Sequence, residues 1–200
     1  MKKQFTILFA TLVIHLLLFT SCKTPKNEDA KEVAATPSEY GGYSSQAKWG
    51  EHLVMAGGCG DCHTPKKMSP MGPVDDSSLL LSGHPAQMPP PNVNRLEMQK
   101  NGYVVTQTLT AWVGPWGISY AANLTPDSTG LGTWKEEQFI KSLREGKFKG
   151  LDGTRPVMPP MPWISIRNFT DNELKAIFAY LKTIKPVKNA VPPIQLPATK

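Results

Sequence analysis

Apolar residues gather in four places along the chain. From Ile7 to Phe19 they run almost without a break, interrupted by Thr11 and His15. Between Gln46 and Ala56 they are spaced: Trp49, Leu53 and Ala56 lie at i, i+4 and i+7, which predicts one face of a helix. Gly57 and Gly58 stop that helix. A second spaced group, Phe139, Ile140 and Leu143, comes after Thr133 and Glu136, whose three-residue separation predicts a capping box, and it ends at Gly146. The last group, Leu174, Ile177, Phe178, Leu181 and Ile184, comes after a second such pair, Thr170 and Glu173, and Pro186 closes it. Between residues 64 and 132 the pattern breaks into "MSPMGPVDD", "SGHPAQMPPPN", "GPWG" and "NLTPDSTGLG". Only short segments near Leu79 and over 104–111 are expected to be regular there.

The first apolar run differs from the others in its flanks. Lys2 and Lys3 precede it and small polar residues come after it, the order of a secretory signal. The run is short of the ~20 residues that span a bilayer. It ends in "LFTSC", which resembles a bacterial lipobox with Ser21 before Cys22; Phe19 departs from the aliphatic residue usual at its position. The reading is therefore a lipoprotein signal over 1–21, a chain lipidated at Cys22, and a polar tether over 22–45. A tether of that length has a root-mean-square reach of roughly 25–30 Å. Tyr40 and Tyr43 near its end are able to pack on the folded domain. The expected site is exported and periplasmic, anchored to a membrane. Lys23 and Thr24, with no acidic retention signal, favour the outer one.

Composition refines this picture. Nineteen prolines and sixteen glycines in 200 residues favour short helices joined by long loops. The formal charge of +6 drops to about +4 without Lys2 and Lys3 (6 − 2), and no dense basic block stands out, which excludes nucleic acid as a partner. The folded part is expected over 46–190, with a proline-rich tail over 191–200 lying extended on the surface.

With Cys22 assigned to lipid, two cysteines remain, Cys59 and Cys62, and His63 comes directly after the second. A disulfide, the plain alternative in an oxidising compartment, does not require the histidine. Zinc requires further Cys or His ligands at suitable spacing. C-x-x-C-H is the attachment spacing of haem c: two thiols form thioethers with one edge of the porphyrin and the next residue falls under the iron. One such motif means one haem. A large flat cofactor also gives the long irregular stretch an apolar surface to bury against. The ligand opposite His63 is expected from a loop. Met158 and Met161 in "RPVMPPMPW" are candidates, Met161 with prolines on both sides that fix φ, followed by Met68, Met71, Met88 and Met98; His52 and His84 are nitrogen alternatives. Trp112, Trp116, Trp134 and Trp163 read as packing, with an indole N–H available to a haem propionate. Arg155 and Asn123 are further propionate candidates, and the Pro73 carbonyl is a candidate acceptor for His63 Nδ1.

The ordered series "CHTP", "MGPVDD", "LSGHP", "LTAWVGPWG", "AANLTPDSTGLGTW", "EEQFIKSLREGK" and "PPMPW" resembles the class I c-type cytochromes, and within them the extracytoplasmic cytochrome c subunits of dehydrogenases. The resemblance covers roughly residues 46–190. It implies an all-α, cytochrome c-like domain wrapped around one covalent haem, carrying electrons rather than catalysing a substrate reaction. It implies Met161, the methionine directly before Pro-Trp, as the distal iron ligand. It implies redox partners: a dehydrogenase as donor, an oxidase or another cytochrome as acceptor. The alternative class is a haem enzyme or a gas or redox sensor, which needs an open or labile sixth iron position and a distal acid or base.

The lipobox makes one outcome specific. Metabolic labelling with a fatty-acid analogue is expected to mark the wild-type chain and not Cys22→Ser; equal labelling of both removes the lipid anchor.

Overall fold

The computed structural model describes residues 39–197, so the signal segment, Cys22 and most of the tether lie outside the described residues. The first described turn packs onto the first helix: Gly41 lies against the Trp49 indole, and the Tyr43 ring stacks on His52 with centroids 5.0 Å apart.

Helix α1 spans Gln46–Ala56, capped by the Ser45 hydroxyl accepting from Lys48 N–H. Its buried face is rotated by one residue from the expected stripe: Gly50 and Val54 are buried, Trp49 and Leu53 are half-buried, and Ala56 is exposed. The reason is its partner. The last long helix, α6 over Asp171–Leu181, crosses α1 so closely that a Cβ on Gly50 would stand 1.8 Å from the Ala176 carbonyl oxygen. Only a glycine admits that approach. Helix α6 begins with the predicted box, Thr170 Oγ1 accepting from Glu173 N–H and the Glu173 carboxylate from Thr170 N–H. Leu174, Ile177, Phe178 and Leu181 from α6 join Val54, Leu81, Leu131 and Phe139 in the main core.

Four further helices complete the α count among the described residues: α2 Cys59–His63, α3 Arg95–Asn101, α4 Glu136–Glu145 and α5 Trp163–Ile166. Helix α4 starts later than its sequence predicts, and the expected Thr133–Glu136 box is absent. The turn from Asp127 runs on through Trp134, whose N–H bonds the Leu131 carbonyl, so Lys135 becomes the extended residue before the helix. Glu136 and Glu137 then sit at the positive end of its dipole.

The all-α expectation needs correction in the middle of the chain, where two small antiparallel sheets stand. Strands β1 Lys66–Ser69 and β2 Gly72–Asp75 form a hairpin. Strands β3 Val105–Thr106, β4 Ala111–Gly114 and β5 Gly117–Tyr120 form a second sheet in that order. It carries a smaller core of Met98, Val113 and Ile118. Beyond α6 the chain turns back, and Gln195 pairs with Ile118 on the free edge of β5. A covered edge removes unpaired backbone donors and acceptors from solvent.

The crossing of α1 and α6 is the point at which added volume has nowhere to go. Gly50→Ala is expected to destabilise the fold by about 1–3 kcal/mol or more, read as a lowered midpoint in thermal or urea unfolding. An unchanged midpoint means that the two helices do not cross at Gly50.

Candidate functional site

Gly57 and Gly58 end α1 and let the chain enter α2 at once. Helix α2 is five residues long, Cys59-Gly60-Asp61-Cys62-His63. Residues three and four apart on a helix are neighbours, so Cys62 and His63 both flank Cys59 on one side of this turn. Both thiols are free and half-buried. Burial pushes the Cys59 thiol up to about 11, and it raises Cys62 as well. The pair therefore holds protonated sulfur at neutral pH instead of a reactive thiolate. Among the described residues no group of three or more His, Cys, Asp or Glu gathers to hold a metal ion.

His63 is 7% exposed, and its ring is fixed from one side: Nδ1 donates to the Ala122 carbonyl oxygen at 2.7 Å. Burial lowers its pKa, with the Ala122 bond acting in the opposite sense. The ring is thus the neutral tautomer with its proton on Nδ1, and Nε2 keeps a free lone pair. A carbonyl behind the ring is the usual way an imidazole is aimed at a metal and made more basic. The candidate acceptor read from the sequence is the Pro73 carbonyl, with an ordinary turn proline as the other reading. That residue lies exposed on β2, paired with Met68 in the hairpin, away from the buried ring.

Two loops converge on His63. The Gly83 N–H donates to the His63 carbonyl at 2.8 Å, and the His84 N–H to the Ala121 carbonyl at 2.9 Å. Leu124 N–H returns to Leu81 O, and Leu81 N–H bonds the buried Thr64 Oγ1. Gly83 has φ +79°, and a Cβ there would lie 2.6 Å from Ala121 O and from the Ala122 carbonyl carbon. The residue that sets His63 is therefore reached through a backbone contact that only glycine permits.

The methionine candidates separate by position. Met68 and Met71 project from the β1–β2 hairpin, 79% and 95% exposed. Met98 is buried in the smaller core. Met88, Met158 and Met161 are half-buried. The Met158–Met161 loop is held at both ends. Val157 N–H bonds Gly146 O at 2.7 Å, Met161 N–H bonds Met158 O at 3.2 Å, and Trp163 N–H bonds Met161 O at 2.9 Å as α5 begins. The Pro159–Pro160 peptide within it is cis. Its middle is tied to β5: Ser119 Oγ donates to Pro159 O at 2.6 Å and accepts from the Trp116 indole N–H. Ser119 and Ala122 lie three residues apart on one extended stretch, a span of about 10 Å. That stretch grips the methionine loop at one end and His63 at the other.

The histidine alternatives fall elsewhere. His84 is fully buried, with Nδ1 on Thr110 Oγ1 at 2.9 Å and Nε2 on Met88 O at 2.8 Å, so both nitrogens are committed. His52 is exposed and stacked on Tyr43. Asn123 uses its amide hydrogens on Thr129 and Val187, which makes it a turn residue. Arg155 lays its guanidinium 3.8 Å from the Phe148 ring centroid and bonds Pro156 O.

No family model matches the chain. Among curated proteins it is similar to a nicotinate dehydrogenase subunit of Pseudomonas putida, 30% identical over 169 residues, covering 84% of this chain and 11% of that protein. It is 28% identical over 197 residues to the fructose dehydrogenase cytochrome subunit of Gluconobacter japonicus, 98% of this chain and 32% of that protein. It is 37% identical over 87 residues to the cytochrome c subunit of the quinone alcohol dehydrogenase of Gluconobacter oxydans, 42% of this chain and 18% of that protein. The last two are named as cytochrome subunits, which supports a cytochrome c family. The chain spans between 11% and 32% of the three relatives' lengths. Cytochrome subunits of dehydrogenases are consistent with an electron carrier rather than a catalytic enzyme. The cofactor implied is haem c, and the donor set fits it: two sulfurs and a neutral imidazole on one helical turn, with the imidazole lone pair on Nε2. Among the described residues no helix is long and apolar enough to cross a membrane.

Gly83 offers a direct test of how His63 is held. Gly83→Ala is expected to displace the Ala122 carbonyl, weaken its bond to His63, and cost more than the ~1 kcal/mol that positive φ alone imposes on alanine. Gly72→Ala is the control: φ there is +105°, but nothing lies within 4 Å of the added Cβ. Equal losses in unfolding free energy for the two variants mean that the contact with residues 121–122 carries no weight.

Proposed function

We propose that the chain is a lipid-anchored, monohaem c-type cytochrome that carries electrons from a periplasmic or membrane dehydrogenase to an oxidase or another cytochrome. The observation that carries this reading is α2: a C-x-x-C-H turn whose histidine is buried, neutral and bonded through Nδ1 to a backbone carbonyl. The names of the curated relatives support the partner class. One relative is named a diheme c-type cytochrome; the reading of one haem here rests on the single C-x-x-C-H of the sequence.

Bound haem supplies reversible one-electron chemistry at iron. The chain's own residues do the rest. Cys59 and Cys62 Sγ are the points of thioether attachment and fix the cofactor's edge to α2. His63 offers Nε2 as the proximal ligand, with Ala122 O setting the ring's tautomer and tilt. Met161 is the distal ligand of this reading. Its loop is pinned by prolines, by the Val157–Gly146 bond and by Ser119, so the backbone that carries the thioether has little freedom. As a thioether donor, Met161 would favour the reduced iron and raise the potential. No histidine competes for that role with a free nitrogen among the described residues except the exposed His52. This favours a closed carrier over an enzyme or sensor with a distal base.

Denaturing gels stained for haem are expected to show one covalent band, and the chain mass is expected to exceed the polypeptide by one haem. Haem removed by acid-acetone sinks the reading. Met161→Ala is expected to abolish the weak sulfur–iron charge-transfer band of the oxidised protein, to lower the potential, and to admit carbon monoxide. Met158→Ala is expected to keep the band and to cost only packing, about 2–5 kcal/mol for a fully buried methionine and less for this half-buried one. Loss of the band in Met158→Ala alone reassigns the ligand to Met158.

A further inference from the structure

The segment after α6 returns to the two loops that hold His63. Val187 accepts at its carbonyl from Asn123 Nδ2 at 2.9 Å and donates its N–H to Thr125 Oγ1 at 3.1 Å. Two residues on, Asn189 spends nearly all of its polar atoms on the same loops. Its Nδ2 donates to Ser82 O at 2.7 Å and to His84 O at 2.9 Å. Its Oδ1 accepts from Ala86 N–H at 3.0 Å, and its own N–H donates to Thr129 Oγ1 at 3.0 Å. Ser82 and His84 flank Gly83, which bonds the His63 carbonyl; Asn123 adjoins Ala122, which bonds the His63 ring. One residue thus clips the 82–86 loop to the 123–129 loop, with the His63 clamp between them. Three properties are needed of its side chain at once: two donors, one acceptor and a short stem. Among the side chains only asparagine combines them.

We propose that Asn189 is a positioning residue for His63, through which the C-terminal strap sets the strength of the hydrogen bond from His63 Nδ1 to Ala122 O. The proposal rests on the reading of His63 as an iron ligand. Its physical content is a tension between two loops that are joined to each other by few other bonds. With Asn189 in place the Ala122 carbonyl faces the ring at 2.7 Å. Without its side chain, the 82–86 loop loses its three bonds to the strap and meets the 121–124 segment only through His84 N–H on Ala121 O and Leu124 N–H on Leu81 O, while the backbone bond from Asn189 N–H to Thr129 remains. A longer bond from Nδ1–H draws less electron density into the imidazole, and a poorer donor stabilises the oxidised iron less. The reduction potential then rises.

The test uses the full-length haem-loaded protein with Asn189→Ala and Asn189→Leu, the second keeping approximate size and zero charge while losing the donors and the acceptor. Gln195→Ala is the control: it lies on the same strap, and its side chain bonds Arg95 and the Tyr120 hydroxyl but neither the 82–86 loop nor the 123–129 loop. Two quantities are read at a temperature where every variant is folded: the reduction potential, and the rate at which the His63 ring N–H exchanges with deuterium in the reduced state. Both Asn189 variants are expected to raise the potential and to speed the exchange at least severalfold, while Gln195→Ala matches wild type. Should Asn189→Ala not accumulate as folded protein, Asn189→Ser, which retains one hydroxyl, is read in its place. Asn189 variants that melt earlier but keep the wild-type potential and exchange rate overturn the proposal and leave the strap a purely structural brace. A wild-type protein that carries no covalent haem, or carries it without an imidazole ligand, instead overturns the functional reading itself.

Discussion

A single hydrogen bond organises the centre of this protein: His63 Nδ1–H to the carbonyl of Ala122, 59 positions away in the sequence. It has to be made deep in a loop-rich region, and each neighbouring feature serves to bring the two ends together. Gly83 gives up its side chain so that the backbone of residues 121–122 passes within contact. The buried hydroxyl of Thr64 takes the Leu81 N–H and so holds the next loop against α2. A buried backbone polar group without a partner costs free energy comparable to a lost hydrogen bond. In a segment with so little regular structure, these pairings decide which loop conformation is stable.

Around that centre the helices act as a frame. The close contact of α1 and α6 at Gly50 and Ala176 joins the start and end of the domain. Burying a leucine or phenylalanine side chain contributes about 1.5–3 kcal/mol, and α6 alone supplies Leu174, Ile177, Phe178 and Leu181 to the core. Because α1 runs directly into α2 through two glycines, the frame fixes where Cys59, Cys62 and His63 stand. The small three-stranded sheet is the counterpart on the other side. Through Ser119 it holds the loop of Met158 and Met161, and through the residues after β5 it holds His63. The proposed electron-carrier role fits this arrangement, because a proposed ligand set held by backbone geometry would reorganise little when charge at its centre changes.

The long helices were legible because their signals are local. A helix repeats every 3.6 residues and is capped by its own neighbours, so the apolar spacing with the glycines at 57 and 58 announces α1, and Thr170 with Glu173 announces α6, from sequence alone. Helix α3 carries the same kind of signal, Asn94 before it and Gly102 after it, but only Met98 of its residues is buried, and a single apolar position has no period to read. Strands β3 to β5 are two to four residues long, and β4 is buried on both faces, so the alternation that identifies a strand is missing. Thr133 and Glu136 had the spacing of a capping box, yet the Asp127 turn extends past them, because the Gly130 and Gly132 N–H groups close back onto the Asp127 carbonyl.

Sequence alone stated the chemistry of the folded part: the C-x-x-C-H with its neighbouring thiols and imidazole, and the methionines in a proline-stiffened loop. These depend on residue type at short separation, which a linear chain states directly. Tertiary structure alone decided which carbonyl backs His63, and it chose Ala122 where the sequence offered Pro73. It also decided that Met98 is core, that Met68 and Met71 are exposed, that both nitrogens of His84 are occupied, and that Asn189 reaches two loops sixty or more residues before it. Hydrogen-bond partners across such separations depend on where every intervening turn leaves the chain. A strip of residue types carries no record of that until the loops have packed.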